Sequence, residues 1–164
     1  MSKAQIAFLI VLSLVLAAIV ATTVVITTRS ESPNVFTPPA FDESAQSGTP
    51  LDLPKDRNFQ QIKVSDGFLV GMCSKLVVSD DCAEIYLTAS SQNTVWIRVV
   101  LLDENGKNIG STGVLKPDQY VEKIRLNTVP AASTTVTVKI ISYEPDTYYS
   151  RGTANAVVSL EISE

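Results

Sequence analysis

Thr134–Tyr143 reads TTVTVKIISY, with Val136, Val138 and Ile140 alternating against Thr135, Thr137 and Lys139. A period of two between apolar and polar side chains marks a strand with one face in a core and the other toward solvent. The β-branched residues fit that pleated surface. The same alternation recurs in Ala83–Ser90 (AEIYLTAS) and in Ala154–Ser163 (ANAVVSLEIS). Thr94–Asp103 (TVWIRVVLLD) is apolar on both faces, which predicts a central strand covered on both sides. Turn residues punctuate these runs. Asp103-Glu104-Asn105-Gly106 holds the Asn-Gly pair that positive φ angles favour, so Leu102 and Ile109 should flank a hairpin. Lys116-Pro117-Asp118-Gln119 has proline where a type I turn accepts it, and Glu144-Pro145-Asp146 breaks a further run. The expected fold is therefore all-β: an antiparallel, Ig-like β-sandwich of about seven or eight strands over residues 59–164.

Upstream the chain changes character twice. Residues 30–58 (SESPNVFTPPAFDESAQSGTPLDLPKDRN) carry Pro33, Pro38, Pro39, Pro50 and Pro54 and show no periodicity. Proline removes backbone donors and favours extended geometry, so the segment reads as a semi-rigid tether. Phe36, Phe41 and Leu51 stand out from its polar composition, as residues that dock on the body or on a partner, or as isolated apolar residues in a linker. Before the tether, no charge interrupts the run from Lys3 to Arg29. Its core, Ile6 to Ile26, would span roughly 31 Å as a helix at about 1.5 Å per residue, close to the hydrocarbon thickness of a bilayer. Residues 1–29 are expected to be an uncleaved transmembrane signal-anchor. It contacts lipid through residues 4–28, with a short cytoplasmic tip and everything after it outside the cell.

The 13 basic and 17 acidic residues leave a mild negative charge, which gives nucleic acid no basic face to bind. The chain has no histidine, so Ser-His and Cys-His nucleophile pairs are excluded, and its two cysteines cannot complete a four-ligand zinc site. No cofactor is implied and no catalytic group stands out. Carboxylates fall in or beside turns (Asp80-Asp81, Asp103-Glu104, Asp118), where they are solvated or cap backbone donors. Cys73 and Cys82 are the only thiols. A paired count in an exported β-body points to a disulfide; two free buried thiols are the alternative. Among the aromatics, YEPDTYYSRG gathers Tyr143, Tyr148, Tyr149 and Arg151 around one loop. Tyrosine and tryptophan bury much area with few rotors, so these four residues form a candidate binding surface. The plainer reading has Tyr143 ending a strand, Trp96 filling the core and Tyr148 or Tyr149 packing over the sheet end.

VWIRVVLLDENGKNIGSTGVLKPDQYVEKIRL followed by YEPDTYYSRG resembles a family of small, single-pass, membrane-anchored extracellular β-domain proteins of Gram-positive, clostridia-type bacteria. The likeness covers most of the chain after Ser32 and includes a PPAFD element in the tether. Asp118 stands where that family more often has glycine after proline. The resemblance implies topology and surface location, and no chemistry. Three functions follow as expectations: a non-catalytic accessory or adhesion module binding an envelope protein or glycan; a pilus-like filament subunit using the apolar helix as its core; and a carbohydrate-binding module. The second lacks the leading processing motif expected of such helices, and the proline tether would separate helix from head.

Overall fold

Strands form where the two-residue period runs. The computed structural model describes residues 36–64 and 67–163. The strands are β1 (Gln46–Ser47), β2 (Phe59–Lys63), β3 (Leu69–Cys73), β4 (Lys75–Ser79), β5 (Cys82–Ala89), β6 (Trp96–Leu102), β7 (Asn108–Ser111), β8 (Gln119–Arg125), β9 (Thr134–Tyr143) and β10 (Ser150–Ile162). A single 3₁₀ turn, Lys55–Arg57, precedes β2. The all-β expectation holds. Among the described residues no helix is long and apolar enough to cross a membrane. The anchor helix expected over residues 4–28 lies outside the described residues.

One sheet runs β1-β8-β5-β4-β10-β9-β6-β7, with β3 also pairing β5 and β2 pairing β3. The pairs are antiparallel except β4 with β10, which is parallel. A bridge between Gly110 and Leu126 brings the β7 edge back to the end of β8, so the sheet curls on itself. Its inner face carries the alternating residues read from the sequence: Ile85 and Leu87, Ile97 and Leu101, Val136, Val138 and Ile140, and Val158 and Leu160 are all buried. The expected hairpin closes through Asp103–Lys107, with Gly106 at φ 76° and its N–H donating to Asp103 O at 2.9 Å. Asp118 sits at φ 63°, the left-handed region that glycine adopts most readily, so the expected type I turn, which needs a negative φ there, is corrected.

The expected tether is shorter than its proline content implies. The compact unit begins at Pro38, not at residue 59. Phe41 bridges Val114 in parallel, Asp42 N–H donates to Val114 O at 3.0 Å, and Val114 N–H donates to Ala40 O at 2.9 Å. Gln46–Ser47 then pairs with Tyr120 and Gln119 of β8. Proline at 38 and 39 leaves the bonding residues Ala40 and Asp42 untouched, so the segment joins a sheet edge despite its composition. Leu51, by contrast, is 97% exposed. Farther on, Arg57 donates through Nη1 to Glu84 Oε2, and Lys123 Nζ lies 3.2 Å from Glu84 Oε1, so the 3₁₀ turn is tied to the outer side of β5.

The disulfide expectation is corrected: Cys73 and Cys82 are both free thiols. Cys73 ends β3 and Cys82 begins β5. The β3–β5 register pairs Gly71 with Thr88. Carried on, it leaves Cys73 farther along β5 than Cys82 by roughly 13 Å at about 3.3 Å per residue. A disulfide requires Cα atoms within about 7 Å. Proximity in sequence misleads here because β4 intervenes between the two thiols. Burial pushes the Cys73 thiol above its ordinary range; nearby Arg57 acts in the opposite direction and Asp56 in the same one. It is a packed, unreactive side chain.

Two changes test how the segment before β2 is held. A Cβ at Gly113 would lie 2.5 Å from Asp42 N and Cα, both backbone atoms, so Gly113→Ala should push residues 40–42 off the edge. We expect a loss of about 2 kcal/mol in urea unfolding followed by Trp96 emission. Glu84 is pushed up by burial, yet the bonds and charges of Arg57 and Lys123 outweigh this and hold its carboxyl below the usual range. Its contribution is therefore complete above the unfolded value of about 4.3 and is lost as pH falls through the lower folded value. Glu84→Gln should lower stability at pH 7 and flatten the acid limb of the stability–pH curve below about pH 4.

Candidate functional site

The sequence-derived surface lies at the end of the sheet where β9 turns into β10. The connecting loop is closed by its own backbone: Glu144 N–H donates to Tyr149 O at 2.8 Å, and Tyr148 N–H to Glu144 O at 3.0 Å. Asp146 at φ 67° and Tyr148 at φ 57° take left-handed backbone, uncommon for a bulky aromatic residue. With the backbone held this way, the Tyr148 ring meets Trp96 at 5.2 Å between centroids, edge to face, and Tyr143 at 6.3 Å. Trp96 opens β6, which pairs with β9 so that Trp96 lies opposite Tyr143.

The fourth ring comes from elsewhere. Phe41 packs edge-to-face on Trp96 at 4.9 Å and lies 6.5 Å from Tyr148. Lys116, in the turn before β8, sets its ammonium 4.5 Å from the Phe41 centroid and 6.0 Å from that of Trp96. Edge-to-face pairs are worth about 0.5–1.5 kcal/mol each beyond burial, and an exposed cation–π contact about 0.5–1. The cluster is thus preorganised. It is also separate from the core, since none of Phe41, Trp96, Tyr143 or Tyr148 belongs to the buried cluster that fills the sheet. Trp96 is half-buried, so the expectation that it fills the core is corrected: its position at the start of β6 puts it on the face opposite Ile97.

Of the residues chosen from sequence, Tyr143 and Tyr148 join the cluster. Tyr149 is 72% exposed on the same loop. Arg151 Nη1 lies 3.7 Å from Glu144 Oε1, a solvent-facing pair across the base of the loop. Tyr86 and Tyr120 are elsewhere; Tyr120 is buried and donates its hydroxyl hydrogen to Gln46 Oε1 at 2.7 Å. Sequence reasoning did not place Phe41 and Lys116 at this surface. The signal for Phe41 was its isolation in a polar stretch; for Lys116 there was none, because a turn lysine is ordinarily solvated.

Among the described residues no three His, Cys, Asp or Glu side chains gather as a metal site. A depression of about 230 Å³ beside the Asp103–Asn105 turn is lined in part by Thr128, Pro130 and Thr134; the Glu104 carboxylate there accepts a bond from Thr134. No protein-family model matches the chain, and neither a curated protein nor a solved structure does.

Trp96 is the chain's single tryptophan, so it reports on the cluster directly. Phe41→Ala should shift its emission to the red and cost about 1–2 kcal/mol in unfolding experiments. Tyr149→Ala should leave both unchanged, because its ring is exposed.

Proposed function

We propose that the chain is a non-catalytic binding module displayed on the outer side of the cell membrane, anchored by an apolar helix over residues 4–28. The curled sheet supports reading the body as an Ig-like sandwich. In that reading one layer would be β2, β3, β5, β8 and β1 and the other β4, β10, β9, β6 and β7, joined where β4 pairs both β5 and β10. Loops at the end of such a sandwich are its usual binding surface, because a rigid sheet holds them while their sequence is free to vary.

The observation that carries the proposal is the aromatic cluster. Four rings from three separate stretches converge outside the core, with an ammonium beside them and Tyr149 exposed alongside. Core packing does not require this arrangement. A preformed, partly exposed aromatic surface with a polar rim suits an envelope glycan or the side chains of an envelope protein, whose flat apolar faces stack on rings at little entropic cost.

The test uses the full chain in nonionic detergent, applied to a glycan array and to solubilised envelope proteins. Retention should be specific and should fall roughly tenfold or more in a Tyr148→Ala, Tyr149→Ala variant. Equal retention of that variant, or no retention of either chain, would overturn the assignment of this surface.

A further inference from the structure

The aromatic cluster stands at one end of a longer surface. Residues that face each other across β6, β9 and β10 direct their side chains to the same side, so the register sorts the outer face into rows. Trp96 and Tyr143 form the first row, where Lys116 sets its ammonium 6.0 Å from the Trp96 centroid. Arg98, Ile141 and Thr153 form the second row, and Val100, Lys139 and Asn155 the third. Successive rows are two residues apart, about 7 Å along the strands. Three consecutive rows therefore carry one cation each.

Charge on this face is one-sided. The chain has 13 basic and 17 acidic residues, yet the rows from Trp96 down to Thr135 and Ser159 hold no carboxylate. Glu144 and Glu161 lie just past the two ends, and each is paired with a cation of its own, Arg151 and Lys75. Asp42, next to Phe41, accepts from Ser44 through Oδ1 and from the Gly113 N–H through Oδ2. The remaining ion pairs among the described residues belong to Arg57 and Lys123, which leaves Arg98, Lys116 and Lys139 without one. Arg98 is held by neutral acceptors instead: Nε donates to Thr112 O at 3.1 Å and Nη2 to Ser111 Oγ at 3.0 Å. Those bonds fix the guanidinium and leave its charge uncompensated. Thr153 and Asn155 stand exposed beside it with groups that can bond a hydroxyl.

Taking the aromatic cluster as a binding surface, on which this rests, we propose that the face binds a linear acidic polysaccharide with carboxylates on its sugar rings. One ring stacks its apolar face at Trp96 and Tyr148. The chain then runs along the strands, over Arg98 and on to Lys139. Ring carboxylates meet the three cations in charge-assisted bonds, which are stronger than neutral ones, and ring hydroxyls meet Thr153 and Asn155. A neutral glycan would use the rings and leave the cations idle. An acidic peptide would use the cations without a flat face to stack. Nucleic acid has both features, but it requires a basic field over the whole domain, and this chain carries net negative charge.

The test measures binding of the full chain, in nonionic detergent, to polygalacturonate and to the same polymer fully methyl-esterified, which keeps the rings and removes the charge. Polygalacturonate should bind roughly tenfold tighter or more, and added salt should narrow the gap. Lys139→Gln, and Arg98→Gln with Lys139→Gln, should bring polygalacturonate toward the affinity of the ester while Trp96 emission stays unchanged. Lys63→Gln, which removes the same charge from β2, should change nothing. Equal affinity for acid and ester, binding of neither, or a preference that survives both variants overturns the proposal. Polyglutamate or oligothymidylate bound as tightly as polygalacturonate overturns the sugar as the ligand. Acid and ester bound equally, and both lost in the Tyr148→Ala, Tyr149→Ala variant, would leave the aromatic surface as a glycan site and overturn only its preference for acidic chains.

Discussion

A sheet edge exposes a row of backbone donors and acceptors, and each one kept from water must find a partner. That constraint organises this molecule. The β7 side of the sheet is finished twice: by the bridge from Gly110 to Leu126, and by residues 40–42 laid along Val114. The β8 edge is finished by Gln46 and Ser47. Near the other end β4 joins two parts of the sheet by pairing with both β5 and β10. Short stretches of chain do most of this work. Among the described residues no strand lies beside Thr153–Val157 on the β4 side of β10.

The candidate surface is a consequence of the same closure. Phe41 reaches Trp96 only because its backbone completes the edge at Val114, and Gly113 permits the approach because a side chain there would meet Asp42. Asp42 adds a carboxylate that accepts the Gly113 N–H at 2.7 Å. The segment that leads out of the β-body toward the expected anchor therefore supplies one ring of the cluster. Tyr148 supplies another through backbone that is unfavourable for it locally, held by the two bonds that close its loop. Local cost accepted for a fixed ring position is more easily understood at a binding surface than in a loop with no task.

Much of the fold was legible without coordinates, for reasons that can be named. β9 coincides with the alternating run Thr134–Tyr143, because a half-buried strand imposes its period directly on side-chain polarity. The Asn-Gly hairpin was equally plain, since its geometry demands residues that tolerate positive φ. The segment from Pro38 was misjudged because composition reports average backbone preference, whereas one bridge and a few bonds suffice to dock an extended chain. The cysteine pair was misjudged because a short interval in sequence does not bring two thiols together when a strand intervenes.

By itself the sequence determined an all-β body with its alternating faces, its turn positions, and a loop rich in tyrosine, because each of these is written in residues that are neighbours along the chain. Tertiary structure alone decided which edges are closed, which ring from the upstream segment completes the cluster, where Lys116 lies, and which side of β10 stays open. Those features join residues far apart in sequence, and the register and curl of the sheet that bring them together follow from the satisfaction of all its strands at once.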